Sequence, residues 1–548
     1  MLSTFLIAIY SLLVVLTVKS RREVMDSINQ ELYGASPDIK VSASSKRLIQ
    51  VLQKVLASCI ILPSDTDAFN ASASNYFAQQ SNTTRPACIV RPETVEQLSQ
   101  AVAILHQEFL ARRADGRDKP NNLGFVSLRS GGHSYSGASA SIEGGVLLDL
   151  SRFSEVTVSN DGTLVTIGTG ARWSRVNQVL EAKKIAVPGG RNGAVGVGGF
   201  TLGGGISFFS QRYGLACSNV IEYQVVLASG DVVIASATSN TKLWRALKGG
   251  ANNFGIVTRF TFRAFPCGDI WGGCLFSPSF ESSRSIDAFH AFVDRADPKK
   301  PDVEYDDYAS GPLVCFCYLQ RPGVEIISTF ITYTKEPPSG SDWPACWKKS
   351  GFKSLWRYWS TVKQRTLSSA CQDLAVGEKA GLSQTVAGTI VKNDKATLDA
   401  AYAFYREACV EVKKVKGKGI RFVFVLQPLL PAWMHKGDPN YLGLENTMTE
   451  PHVLISFSPV WIDVNHNEFV EDLIRRTVGK IERFARERGT YHPYKYVNYC
   501  AAWQDPFEGH GEENLEILRG VSREYDAEGF FQRACPGGFK IPGLEEGS

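Results

Sequence analysis

Between Pro188 and Gly205 the chain reads PGGRNGAVGVGGFTLGGG, and nine of the seventeen residues from 189 to 205 are glycine. Glycine at that density in an apolar context means that backbone comes very close to a ligand. The stretch is not a P-loop, because no Gly-Lys-Ser/Thr follows. It is not a dinucleotide fingerprint either, since Thr201 stands where the third glycine after Gly196-Val-Gly198 would be. Upstream, Arg129-Ser-Gly-Gly-His-Ser-Tyr135 follows a β-like run and breaks it with two glycines. Successive glycines let backbone amides converge on an anion, and the histidine projects beside whatever is bound. A plain turn with a surface histidine would read the same way. Two such loops so close in sequence favour a shared ligand.

The chain has 548 residues, enough for more than one domain or for one large domain with insertions. Hydrophobic residues make up 44% and charged residues 21%, which excludes a largely disordered chain and a multi-span membrane protein. The net charge of +4 comes from 59 basic and 55 acidic residues without a basic run, so no nucleic-acid partner is expected. Residues 5–18 (FLIAIYSLLVVLTV) suit a signal-peptide core better than a membrane span, with cleavage after Ser20. The flanking charges Lys19, Arg21 and Arg22 follow the apolar run, so an uncleaved anchor is the alternative. The sequons at Asn70 and Asn82 fit a secretory route. Twelve cysteines permit disulfides there, and a Cys59–Cys88 bridge would staple a loose N-terminal arm to the body. No cysteine or histidine spacing suggests a zinc site, and no metal is expected.

Val95, Leu98, Val102, Leu105 and Phe109 recur at helical spacing over 92–111. Short β-rich runs follow at 124–129, 146–150 and 164–168, and a helix is expected over 171–184. A hairpin is expected about Ser229-Gly230-Asp231, then a short helix over 243–247 and a strand over 255–265. The β-like runs 421–425 and 453–460 belong to a second region richer in aromatics and prolines. Asn465, with Glu468 in a capping box, is expected to start a long helix with Val470, Leu473, Ile481 and Phe484 as its apolar stripe. This alternation argues an α+β or α/β chain without repeats.

RSGGHSY, GGRNGAVGVGGFTLGGGISFFSQRYGL, VVLASGDVV and LWRALKGGANNFGIVTRF occur in that order. So do Tyr496-Val-Asn-Tyr499 and, in the tail, Phe530-Phe-Gln and Pro536-Gly-Gly-Phe-Lys. Together they resemble the berberine-bridge-enzyme-like FAD-linked oxidases of the vanillyl-alcohol-oxidase superfamily, fungal type, over about residues 85–548. The resemblance implies an α+β, two-domain FAD-binding fold whose second domain is an antiparallel sheet covered by helices. It divides the chain into a signal peptide (1–20), an N-terminal arm (21–84), an FAD-binding domain (85–267), a substrate domain (268–464) and a C-terminal element (465–548) that returns to the FAD domain.

The resemblance implies that His133 bonds covalently to the flavin 8α-methyl. Many relatives add a second link through a cysteine, and here that position is Asn192, so a single link is expected. Ser130, Gly131, Gly132 and Ser134 would cradle the pyrophosphate. Gly196, Gly198 and Gly199 would line the other side, and Ile256 and Val257 the adenine end. Val195 matches a position where a small valine leaves room for dioxygen. Tyr499 matches a catalytic base, Tyr496 a substrate-positioning tyrosine and Asn498 a flavin-side contact. Lys495 would share a strand face with Tyr499 and could supply a cation. Plant relatives carry a glutamate or glutamine after a Pro-His pair; here Pro451-His452 leads to Ser458-Pro459, with no carboxylate, and His452 is the substitute candidate.

These expectations describe a secreted or luminal FAD-dependent oxidase that passes electrons to dioxygen and releases hydrogen peroxide. Its substrate would be an alcohol, an amine or a secondary-metabolite precursor, with an oligosaccharide lactol, or a dehydrogenase using another acceptor, as the alternatives. Trp343, Trp347, Trp356, Trp359, Trp433 and Trp461 suit a flat apolar substrate, and they also suit a sugar. A soluble monomer in the mature form is expected.

Overall fold

The computed structural model describes residues 43–115, 124–135, 139–300, 302–303, 305–336, 342–376, 380–417 and 419–544. The apolar segment 5–18 and the first part of the arm lie outside the described residues. No described helix is long and apolar enough to cross a membrane.

The chain builds three main sheets. The first is four-stranded, ordered Ile60–Ile61, Cys88–Val90, Val146–Asp149, Val126–Arg129. Its last three strands run parallel to one another. Parallel strands are covered on their faces, and Leu98, Val102, Leu105 and Phe109 of the helix Val95–Ala114 pack on this sheet together with Leu48 and Leu52. The spacing read from the sequence is therefore a core stripe, and Thr94 caps the helix by accepting from the Gln97 amide. The second sheet is antiparallel, ordered Val156–Val158, Leu164–Gly168, Ile256–Arg263, Val220–Val226, Val232–Ser236. It contains the expected hairpin, with Val226 opposite Val232.

The third sheet holds eleven strands among the described residues. Its main path runs Trp359–Ser360, Ile270–Pro278, Val324–Tyr333, Ala309–Leu319, Arg421–Leu429, His452–Phe457, Ala387–Lys392, Tyr491–His492, with antiparallel neighbours. The helices Ser282–Asp294, Lys395–Lys414 and Asn467–Arg488 bury Phe289, Leu398, Tyr405, Val470, Leu473 and Ile481 in one core with this sheet. The last strand comes from beyond residue 464, so the C-terminal element contributes to this sheet. The tail also reaches the first sheet, where the Phe125 and Val126 amides both donate to Ala534 O at 3.0 Å.

Three local expectations are corrected. The long helix starts at Asn467 and is entered through the turn Val464–His466, capped by Asp463, whose Oδ1 accepts from the Asn465 amide at 3.1 Å. Asn465 is thus the capped residue, and no capping box forms. Cys59 and Cys88 are buried free thiols. The register pairs Ile60 with Val90, which sets Cys59 three residues along the ladder from Cys88, about 10 Å and beyond the reach of a disulfide. Nor is the arm loose over 66–86. It folds as the helices Thr66–Ala73 and Gln79–Asn82, and Ser72 joins a buried network with Arg129 and Asp149. The Asn82 side chain is spent on the backbone of Tyr76, accepting from its amide and donating to its carbonyl, which opposes a glycan there.

Candidate active site

The strand Val126–Arg129 ends in a buried anchor. Arg129 Nη2 lies 2.5 Å from Asp149 Oδ2 and donates to Ser72 Oγ at 2.6 Å. Neither charge is solvated, so each depends on the other. The chain then turns through Ser130–Tyr135, and the glycine-rich stretch lies directly against that turn. A Cβ on Gly131 would sit 2.4 Å from Gly196 Cα, and one on Gly196 would sit 2.6 Å from Gly131 Cα. The two loops pack backbone to backbone, which only glycine permits. Farther back, Gly189 and Gly190 lie flat on the buried Trp173 ring. Part of the glycine density therefore serves close packing, and part opens onto a ligand space.

That space is a cleft of about 370 Å³. Ser130, Gly131, Gly132, His133 and Ser134 line it from one loop, and Val195, Gly196, Gly198 and Gly199 from the other. Ile256, Val257, Tyr496, Asn498 and Tyr499 line it as well. A Cβ on Gly199 would meet nothing within 4 Å, so this position leaves room for a bound group. His133 stacks on Phe77, with centroids 3.9 Å apart and planes at 12°. Its Nε2 is buried without a partner. Burial, aided by the Arg172 guanidinium, pushes the imidazole down to about 4, so it is neutral at physiological pH. A neutral imidazole with an unpartnered, buried Nε2 beside a glycine cradle suits a ligand that the ring itself contacts.

Tyr499, also on the cleft lining, lies in the single turn Val497–Tyr499. Its hydroxyl accepts from Arg191 Nη2 at 3.3 Å, and the same Nη2 donates to Gln427 Oε1 at 2.7 Å. The Tyr496 hydroxyl accepts from the Ile206 amide and from Asn498 Nδ2, both at 3.0 Å. Burial raises the Tyr496 phenol, which keeps it protonated. Asn498 also donates to Phe200 O at 3.1 Å, tying this turn to the glycine-rich segment.

Comparison with known proteins places this cleft. Residues 86–236 match the FAD binding domain family. Over 501 residues the chain is 34% identical to the FAD-dependent monooxygenase sdcF of Emericella nidulans, covering 89% of this chain and 97% of that protein. The chain belongs to this family of FAD-dependent oxidoreductases. The FAD-dependent monooxygenase tpcD of Cochliobolus heterostrophus is likewise 34% identical, over 86% of this chain and 87% of its own. Two solved structures share the fold. 6-Hydroxy-D-nicotine oxidase from Arthrobacter nicotinovorans has a TM-score of 0.67 at 20% identity, covering 88% of this chain and 97% of its own. Xylooligosaccharide oxidase from Myceliophthora thermophila has 0.66 at 19%, covering 90% and 99%.

FAD is the cofactor of this FAD-dependent oxidoreductase, and the two glycine loops with His133 are the residues that fit it. Other expectations are corrected. Lys495 turns away to Tyr491 and Glu508, because 497–499 is a helical turn and not a strand, so no face is shared with Tyr499. The cation at Tyr499 is Arg191. His452 is buried with Nδ1 against Glu450 O and does not line the cleft. The polar partner comes from the strand Arg421–Leu429 as Gln427, and not from near Ser458. None of the six tryptophans lines the cleft: Trp347 and Trp461 are core, and Trp356 is exposed elsewhere. Asn192 spends its side chain accepting from the Ala194 amide. Two residues missed in the sequence carried a signal. Arg191 is the one charge in the glycine-rich stretch, and Gln427 is the one polar residue in the apolar run 422–430.

Proposed function

We propose that the protein is an FAD-dependent oxidase of the secretory pathway, with its flavin held covalently through His133 alone. The observation that carries this reading is that one cleft is lined both by a neutral imidazole, His133, and by Tyr499, whose hydroxyl accepts from Arg191. FAD would accept a hydride at its N5 and pass the electron pair to dioxygen. The protein's part is proton handling and orientation. Tyr499 takes the proton of the substrate hydroxyl or amine, and Arg191 balances the negative charge on the phenolic oxygen. Tyr496, protonated and held by the Ile206 amide, positions the substrate. Val195 in the cleft wall is small enough to leave dioxygen a path.

The substrate is an alcohol, an amine or a secondary-metabolite precursor. An oligosaccharide is the second reading, since solved neighbours include oligosaccharide oxidases. Against it, Asn192 supplies no sulfur for the second flavin link described for a glucooligosaccharide oxidase of Acremonium strictum. Relatives named monooxygenases share dioxygen as co-substrate. The apolar segment 5–18 supports secretion, which N-terminal sequencing of the mature protein tests.

Acid precipitation of the purified protein is the first test. The yellow chromophore is expected in the pellet and on the peptide containing His133; His133→Ala should release it to the supernatant. Substrate screening should then give peroxide in step with product. Labelled oxygen appearing in the product, without peroxide, would mean a monooxygenase instead.

A further inference from the structure

We infer that Phe77, in the N-terminal arm, is a positioning residue that aims the His133 imidazole for attachment of the flavin. The inference rests on the covalent reading of His133.

Three observations converge on Phe77. Its ring lies 3.9 Å from the imidazole and nearly parallel to it, at 12°, while Tyr135 meets both rings edge-on. Its backbone is fixed on both sides: the amide donates to Gly132 O at 2.9 Å, and the carbonyl accepts from the Gly381 amide at 2.8 Å and Gln384 Nε2 at 3.2 Å. Its neighbour Tyr76 holds the far limb of the same loop, its hydroxyl donating to Ala140 O at 2.9 Å. The arm and the loop fit closely. Gly132 has φ of +62°, and a Cβ there would lie 2.7 Å from Asn75 O. Two consecutive arm residues thus grip both limbs of the histidine loop, and the second covers one face of its ring.

Covering that face matters for chemistry. The nucleophilic lone pair of an imidazole lies in the ring plane. The χ2 torsion of histidine is soft and broad, so the side chain alone does not aim it. Turning the ring by a quarter would drive its edge into Phe77, and the stack confines χ2. In the attachment, the imidazole nitrogen forms a bond to the 8α carbon. The N–H and one C–H proton leave, and two electrons remain on the flavin until dioxygen removes them as hydrogen peroxide. Holding a nucleophile in line is the kind of contribution that a misplacement of about 1 Å forfeits.

The test uses the full chain as wild type, Phe77→Ala, Phe77→Leu, Phe77→Tyr and His133→Ala, each assayed for total bound flavin and for the acid-precipitable fraction. Wild type and Phe77→Tyr should keep their flavin in the pellet. Phe77→Leu and Phe77→Ala should bind FAD yet show about a tenfold lower covalent fraction at matched expression time. A covalent fraction in Phe77→Leu equal to wild type overturns the inference, even if Phe77→Ala fails to fold. Release of flavin from wild type itself overturns the covalent reading beneath it. That outcome is separable, because it appears without any variant.

Discussion

At the scale of single residues, charge placement decides the site. Arg191 makes hydrogen bonds to two partners, the Gln427 side-chain oxygen and the Tyr499 hydroxyl. A guanidinium set beside a phenolic oxygen in a partly closed cleft acts through a dielectric lower than that of water. Arg191→Met removes the cation beside the proposed base and should lower kcat by about 10²–10³, within the usual worth of a positioned general base, with acid-stable flavin unchanged. Stopped-flow reduction against wild type checks it. Tyr499→Phe should fall at least as far, and full activity in that variant would remove the proposed base. His133 belongs to the same scale. Its depressed proton affinity, down to about 4, comes first from burial, so the ring is neutral and nucleophilic without a carboxylate to help.

At the scale of elements, the decisive contact is backbone on backbone. The histidine loop and the glycine-rich stretch touch at Gly131 and Gly196 because neither carries a side chain. Gly131→Ala would place a methyl 2.4 Å from Gly196 Cα, with backbone on both sides unable to yield. Overpacking of this kind costs about 1–3 kcal/mol, and here it also parts the two loops that face the cofactor. We expect a lower melting temperature and less than full flavin content; Gly199→Ala, into open space, should leave the fold intact and weaken flavin retention alone. Comparing thermal melts and flavin-to-protein ratios for the two variants separates packing from binding. At this scale, too, the sequence was readable. The stripe of Val95–Ala114, the hairpin at 229–231 and the strands about both loops follow from spacing and turn residues, which are local properties. The start of the long helix was misread because Asp463 and Asn465 are both good cap residues, and only the preceding turn selects between them.

At the scale of the whole molecule, distant segments are tied by buried charge. Arg129 leads into the histidine loop, Asp149 ends a neighbouring parallel strand and Ser72 belongs to the arm. Burial alone would raise the Asp149 carboxyl, but Arg129 and the hydrogen bonds from Ser151 and Ser72 outweigh it and hold the carboxyl below its usual range. A carboxyl depressed in the folded state adds stability that is complete above the unfolded value of about 4 and is lost as pH falls through the folded one. Asp149→Ala strands a buried guanidinium and should cost about 3–5 kcal/mol. Chemical denaturation at neutral pH measures it, and the gap to wild type should narrow as the pH is lowered below about 4.

The sequence by itself determined the family, the FAD fold and the residues that line the cleft, because those are carried by runs whose meaning is local: glycines that cannot obstruct, a histidine at a tight turn, and Tyr496 to Tyr499. The tertiary structure decided their partners. Arg191 reaches Tyr499 from 308 residues away, Gln427 reaches Arg191 from 236 residues away, and Phe77 reaches His133 from 56 residues away. Lys495, four residues from Tyr499, does not reach it at all. Proximity along the chain predicts contact only within one regular element, and here the strand ends at His492, before Lys495, with a helical turn at 497–499. Contacts across sheets are fixed by how the layers close, which no local pattern encodes.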